Sequence, residues 1–201
     1  MAGEFIPTRL EAGRSLAGLF YLILGNRDGF KLFDSSPDGF WRSFGAFVWT
    51  WPVQCFLWTG IWRASPETRP DTTGEIFRFF AISSGFDVVA WVLPALLLLP
   101  VCQIFGFSGK FTRLVVVNNW FGLLSAYIGF FPAALRYLTP VSDTASAFLS
   151  LGVYAAVIWL YFRVIRICME GDLMITIFIT LLMVMTGLTI SELAFSSLSA
   201  A

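Results

Sequence analysis

In a chain of 201 residues, 57% hydrophobic and only 13% charged, with a mean hydropathy of +0.77, the charge is about half that of an ordinary soluble domain. Thirteen basic residues balance thirteen acidic ones, so no global field points towards nucleic acid, and the absence of histidine removes the commonest metal ligand, the usual haem ligand and the usual general base. Several apolar runs near the 20-residue span of a bilayer predict an all-α, polytopic membrane helical bundle, and the ten-residue alternation of a β-barrel does not appear.

Residues 1–42 read as an N-terminal cytoplasmic or interfacial segment. "PTRLE" spells a capping box, with Thr8 as N-cap and Glu11 three positions on, and Gly25 supplies a stop. The intervening helix is charged in its first half and apolar in its second, too short an apolar run to cross ~30 Å of hydrocarbon. It reads as an interfacial amphipathic helix, or as a helix packed against the cytoplasmic end of the bundle. Arg9 and Arg14 before "LAGLFYLIL" imitate a secretory signal. However, "GNRDGF" offers no small-x-small cleavage site and Glu4 and Glu11 dilute the charge, so the segment reads as retained. In "FDSSPDGFWRSF", Ser36 is the expected N-cap, Pro37 the first helical residue and Asp38 the acidic complement to the helix dipole. Trp41 and Arg42 fit a headgroup anchor; a docking motif for a partner is the alternative.

Residues 43–201 read as one transmembrane domain of five helices, over Ser43–Trp62, Phe79–Leu99 (extending towards Phe105), Leu114–Leu138, Ala145–Ile167 and Leu173–Ile190. "RASPETRPDTTGEI" (Arg63–Ile76) is the one long polar loop. With a cytoplasmic N-terminus, that side holds Arg9, Arg14, Arg27, Lys31, Arg42, Lys110, Arg113, Arg163 and Arg166, against Arg63, Arg69, Arg78 and Arg136 opposite. This asymmetry predicts a cytoplasmic N-terminus and a translocated C-terminus. Cys55, Cys102 and Cys168 form neither a CxxC pair nor a zinc spacing and read as buried, reduced side chains.

Asp87 is the one charge inside "FFAISSGFDVVAWVLPALLLLP", ~12 Å below the outer end of the second span. An aspartate at that depth is roughly 2.5–3.5 kcal/mol unfavourable against lipid, so it is expected to face protein or water. Gln54 on the antiparallel first span, Ser125 and Tyr127 on the third and Tyr154 on the fourth come to similar heights and complete an expected polar cluster. Either this cluster carries a proton or cation, or a protonated Asp87 fixes helix packing by donating a hydrogen bond. A second intramembrane charge and inverted repeats, the usual companions of a transport path, are missing.

On the third span Gly122, Ser125, Ala126, Gly129 and Ala133 form a small-residue stripe that predicts a close helix–helix interface; Gly187 and Ser191 make a shorter one. Asn118 and Asn119 point about 100° apart and read as polar glue, one to a neighbouring helix and the other to a headgroup or water. No nucleophile elbow or phosphate-binding glycine loop appears, so the expectation is a chain without catalytic, cofactor or metal residues. A membrane enzyme would need a surface cluster such as Asp34, Asp38 and Arg42.

Five spans, this orientation and a short amphipathic lead-in resemble the Yip-type (Ypt-interacting protein) membrane family, including its bacterial members. The likeness runs from Phe33 to Ile190 and is architectural. "PDGFW" has the residue types of the family's acidic–glycine–tryptophan signature in a different spacing, so no site residue carries over. The resemblance implies a noncatalytic organiser, assembly factor or accessory subunit in a bacterial inner membrane, acting on other membrane subunits or on itself. A small solute or proton-coupled transporter using Asp87 is the alternative.

Overall fold

The computed structural model describes residues 5–64 and 72–199, and these contain seven α-helices and no strand. They are α1 (Arg9–Ile23), α2 (Pro37–Gly45), α3 (Phe47–Ala64), α4 (Thr73–Ile104), α5 (Phe111–Leu138), α6 (Asp143–Cys168) and α7 (Leu173–Ser199), with 3-10 turns at Arg27–Leu32 and Ser108–Lys110. Four of them, α4 to α7, are long and apolar enough to cross a membrane. Each runs past at least one end of its expected span, α5 ending at Leu138 and α7 starting at Leu173 as expected. α4 starts at a capping box, with Thr72 and Glu75 each bonding the other's backbone N–H, and continues through Pro94 and Pro100. Of the expected polar loop, residues 65–71 lie outside the described residues.

The expected first span differs most. It breaks at Ala46, where three-residue hydrogen bonds (Ala46 N–H to Ser43, Trp49 N–H to Ala46) replace the helical ladder. The N-terminal strand of chain causes the break: the Phe5 carbonyl lies where a Cβ on Gly45 would be, and the Trp49 indole donates to the Pro7 carbonyl at 3.1 Å. α3 carries four tryptophans, Pro52 and Gln54 in 18 residues, and it is not among the four long apolar helices. Taken together, α2 and α3 follow α5 from end to end. Phe40 meets Phe111 at 6.0 Å, Ser43 accepts from Asn119 at 2.9 Å, Phe56 meets Phe130 at 4.9 Å, and Gly60 lies under the Tyr137 ring.

Around the bundle α3 packs on α5, α5 on α6, α6 on α7 and α7 on α4. The contact between α3 and α4 is thin and includes two aromatic pairs, Phe47–Trp91 at 5.4 Å and Trp58–Phe80 at 5.8 Å. The densest packing is at the end of the bundle that holds α1. There Leu114 to Val117 of α5 are fully buried with Leu19 and Leu22 of α1, Leu98 of α4, and Val164 and Ile165 of α6.

α1 therefore packs against α5 and α6, the second of its two expected placements, and leaves Leu10, Phe20 and Leu24 on its outer face. It ends where Gly25, at φ +88°, lets the Asn26 N–H bond the Tyr21 carbonyl, a Schellman closure. Thr8 caps the helix as expected, but the reciprocal half of the box is missing. The Glu11 carboxylate turns to Arg42 (3.2 Å), which also holds Asp34 (2.8 Å). Arg42 is thus a clamp joining α1, the intervening loop and α2, its guanidinium paired with Glu11 and Asp34. Trp41 beside it is exposed.

Candidate functional site

Away from α1 the bundle opens into a cavity of about 570 Å³ walled by α3, α4, α5 and α6. Four of the five side chains expected to share one level, Gln54, Asp87, Ser125 and Tyr154, line it. Tyr127 does not. It lies two residues from Ser125, about 200° around the helix, and its hydroxyl donates to the Trp49 carbonyl at 3.0 Å on another face. At the helix ends far from α1 the cavity reaches Arg136, whose guanidinium pairs with Asp143 at 3.1 Å; those side chains are 48% and 89% exposed.

The small-residue stripe forms one wall of this space. Gly122, Ser125, Ala126, Gly129 and Ala133 all border it. A Cβ on Gly122 would meet the Trp91 ring at 3.0 Å, while one on Gly129 would meet nothing within 4 Å. At Gly122 and Gly129, then, the stripe makes room and no second backbone lies within 3.6 Å of where a Cβ would be.

Two smaller cavities adjoin the first. One, of about 250 Å³, runs inward between α4, α5, α6 and α7 and ends at Asn118, Asn119 and Tyr161. The other, of about 260 Å³, lies between α3, α4 and α7, with Trp58, Ser83, Asp87 and Ser191 among its walls. Ala90 borders all three, and Asp87 borders the first and the third.

Both asparagines bond neighbouring helices. The Asn119 amide donates to the Ser43 hydroxyl at 2.9 Å, and the Asn118 carbonyl accepts from the Tyr161 hydroxyl at 2.9 Å. The headgroup or water contact expected for one of them is replaced by this second tie.

Four buried polar atoms on these walls have no hydrogen-bond partner: Asp87 Oδ2, Trp91 Nε1, Ser83 Oγ and Asn119 Oδ1. Trp58 approaches the Asp87 carboxyl from α3. Unpartnered buried polar groups are uncommon because each forfeits its hydration, so four of them on the walls of three adjoining cavities fit spaces filled by water or a polar ligand. The set mixes acceptors (Asp87, Asn119), a donor (Trp91) and a hydroxyl that can do both (Ser83), which suits water or a cation with donor groups.

At the other end of the bundle Asp34 and Arg42 come together with Glu11, while Asp38 sits in the first turn of α2. Hydrogen bonds from the Ser36 hydroxyl and N–H, with help from Arg42, hold the Asp34 carboxyl below its ordinary range. These groups are used up in capping and clamping. No group of three or more Cys, Asp or Glu among the described residues is arranged to hold a metal.

Trp58, Trp91 and Arg136 escape the sequence reading, although a signal for the first two existed. Trp58 follows Gln54 by four residues and Trp91 follows Asp87 by four, so each shares a helix face with a polar residue already singled out. Comparison with protein-family models, with curated proteins and with solved structures finds no match for this chain.

Proposed function

We propose that this chain is an integral membrane protein with five crossings, the composite of α2 and α3 being the first, and that it acts as a small noncatalytic carrier. Its outer cavity admits a small polar or cationic solute, or the proton, to Asp87. The observation that carries this reading is the presence of four unpartnered buried polar atoms on the walls of three adjoining cavities that share Ala90. Charged side chains inside a membrane are costly, and they mark ion and substrate paths when they face such a space. The fifth crossing is supported by the way α2 and α3 track α5 from Phe111 to Tyr137. With nine of the thirteen basic residues on the side of α1, that side is cytoplasmic and the Arg136 rim opens opposite, in keeping with a bacterial inner membrane.

The experiment is proton flux into liposomes that contain the reconstituted chain and an entrapped pH-reporting dye. After an external pH step, the wild type acidifies the lumen faster than empty vesicles and Asp87→Asn does not. Equal responses from wild type, Asp87→Asn and empty vesicles would remove the proton-carrier reading. An organiser or accessory subunit is the second reading. It is favoured by the open ground beside Gly129 and Gly187, where a partner helix could seat. A stoichiometric membrane partner, or a stable homo-oligomer, in mild detergent would support it.

A further inference from the structure

Asp87 stands between two cavities of unlike character. Towards α5 and α6 it faces Gln54, Ser125 and Tyr154. Towards α7 it faces a cleft whose remaining walls are mostly apolar, among them Ile61, Phe86, Ile190 and Phe195. On the reading of Asp87 as a ligand-binding carboxylate, we propose that the ligand is an amphiphilic organic cation. Its ammonium head sits at Asp87 in the larger cavity, and its aliphatic tail runs along the cleft between α4 and α7.

Three observations lead there. The first is charge complementarity. Among the described residues Asp87 is the one carboxylate on the cavity walls, its Oδ2 is buried without a partner, and the only cation on those walls, Arg136, is already paired with Asp143 at the rim. The second is the aromatic lining beside that carboxylate. Trp91 lines the larger cavity and Trp58 lines the cleft, both of which Asp87 borders, and indole faces attract ammonium groups. The third is the apolar cleft itself, which a purely polar solute would leave unfilled. Its 260 Å³ leaves room for a short aliphatic chain. Gly187 and Ala194 keep this cleft open from the α7 side, and a Cβ on Gly187 would meet nothing within 4 Å.

The probes are tetramethylammonium and octyltrimethylammonium, titrated into the full chain in lipid nanodiscs. Saturable binding is followed by tryptophan fluorescence and referred to free aqueous concentration. The wild type is expected to bind the octyl compound at least tenfold more tightly than the short one. Gly187→Leu fills the cleft and should erase that difference while leaving tetramethylammonium affinity within about twofold. Ala194→Leu repeats the test should Gly187→Leu not fold. Asp87→Asn should abolish saturable binding of both. Equal affinity of the two cations in the wild type would overturn the tail assignment and leave the carrier reading standing. Saturable octyl binding that persists in Asp87→Asn would overturn the head assignment. Binding of neither cation, with proton flux intact, would overturn the inference alone.

Discussion

The two halves of α5 make the instructive comparison. From Leu114 to Val117 its side chains are wholly buried, and the polar residues that follow, Asn118 and Asn119, both tie to neighbouring helices. From Gly122 to Ala133 the same helix turns a row of small residues towards open space, and the polar atoms across that space lack partners. One helix thus serves as the centre of a packed core and then as the wall of a cavity. Van der Waals packing holds the first half together; side chains too small to fill the ring of helices leave the second half open.

The largest difference should come from placing leucine at a glycine of the turn that follows α1, at the packed end of the bundle, and at one on the cavity wall of α5. A Cβ on Gly29 would lie 2.5 Å from the Gly18 carbonyl, so Gly29→Leu forces α1 off its turn and should cost about 3 kcal/mol or more. Gly129→Leu meets open space and gains helix propensity, so its unfolding midpoint should stay within about 1 kcal/mol of wild type. Denaturant unfolding in mixed micelles measures both; equal losses would erase the contrast.

A smaller effect is expected at the boundary. Asn119→Ala removes the tie to Ser43 and should cost about 0.5–2 kcal/mol. A double-mutant cycle with Ser43→Ala isolates the pair, and zero coupling would show that the buried amide matters only for its volume.

The smallest effect concerns the clamp outside the bundle. Asp34 titrates below its ordinary value because Ser36 and Arg42 favour its charged form. Its contribution is therefore present above the unfolded value of about 3.9 and is lost as pH falls through the lower folded value. With the Asp34 side chain 40% exposed, solvent screens the pair, so the effect is slight. Asp34→Asn should leave a stability profile a little lower at neutral pH and flatter below pH ~4. A mutant profile parallel to wild type throughout would contradict this role.

Much of this division was legible in the residues, for stated reasons. Long apolar runs gave α4 to α7, and depth along a helix brought Gln54, Asp87, Ser125 and Tyr154 to one space. Height alone misled at Tyr127, because depth carries no azimuth and two residues along a helix reverse the face. The break at Ala46 could not be read locally, since it depends on Phe5 and Pro7 packing against a segment some forty residues away. Small residues at four-residue spacing promised a close contact. The same lack of bulk permits a cavity when no second backbone arrives, and only the packing of α3, α4 and α6 decides which. The role of Arg42 was hidden similarly, because a Trp-Arg pair at a span's start suits a lipid headgroup as well as it suits Glu11 and Asp34.

The most direct test of the central claim, that a hydrated space leads from the Arg136 rim to Asp87, is thiol accessibility. In a chain with Cys55, Cys102 and Cys168 replaced by alanine, single cysteines are introduced as Arg136→Cys, Gly129→Cys, Ser125→Cys and Val116→Cys. They are then exposed to a charged, membrane-impermeant methanethiosulfonate from the side of the rim. Modification at the first three and none at Val116→Cys is the predicted result. Modification at Arg136→Cys alone, with Gly129→Cys and Ser125→Cys as inert as Val116→Cys, would contradict it.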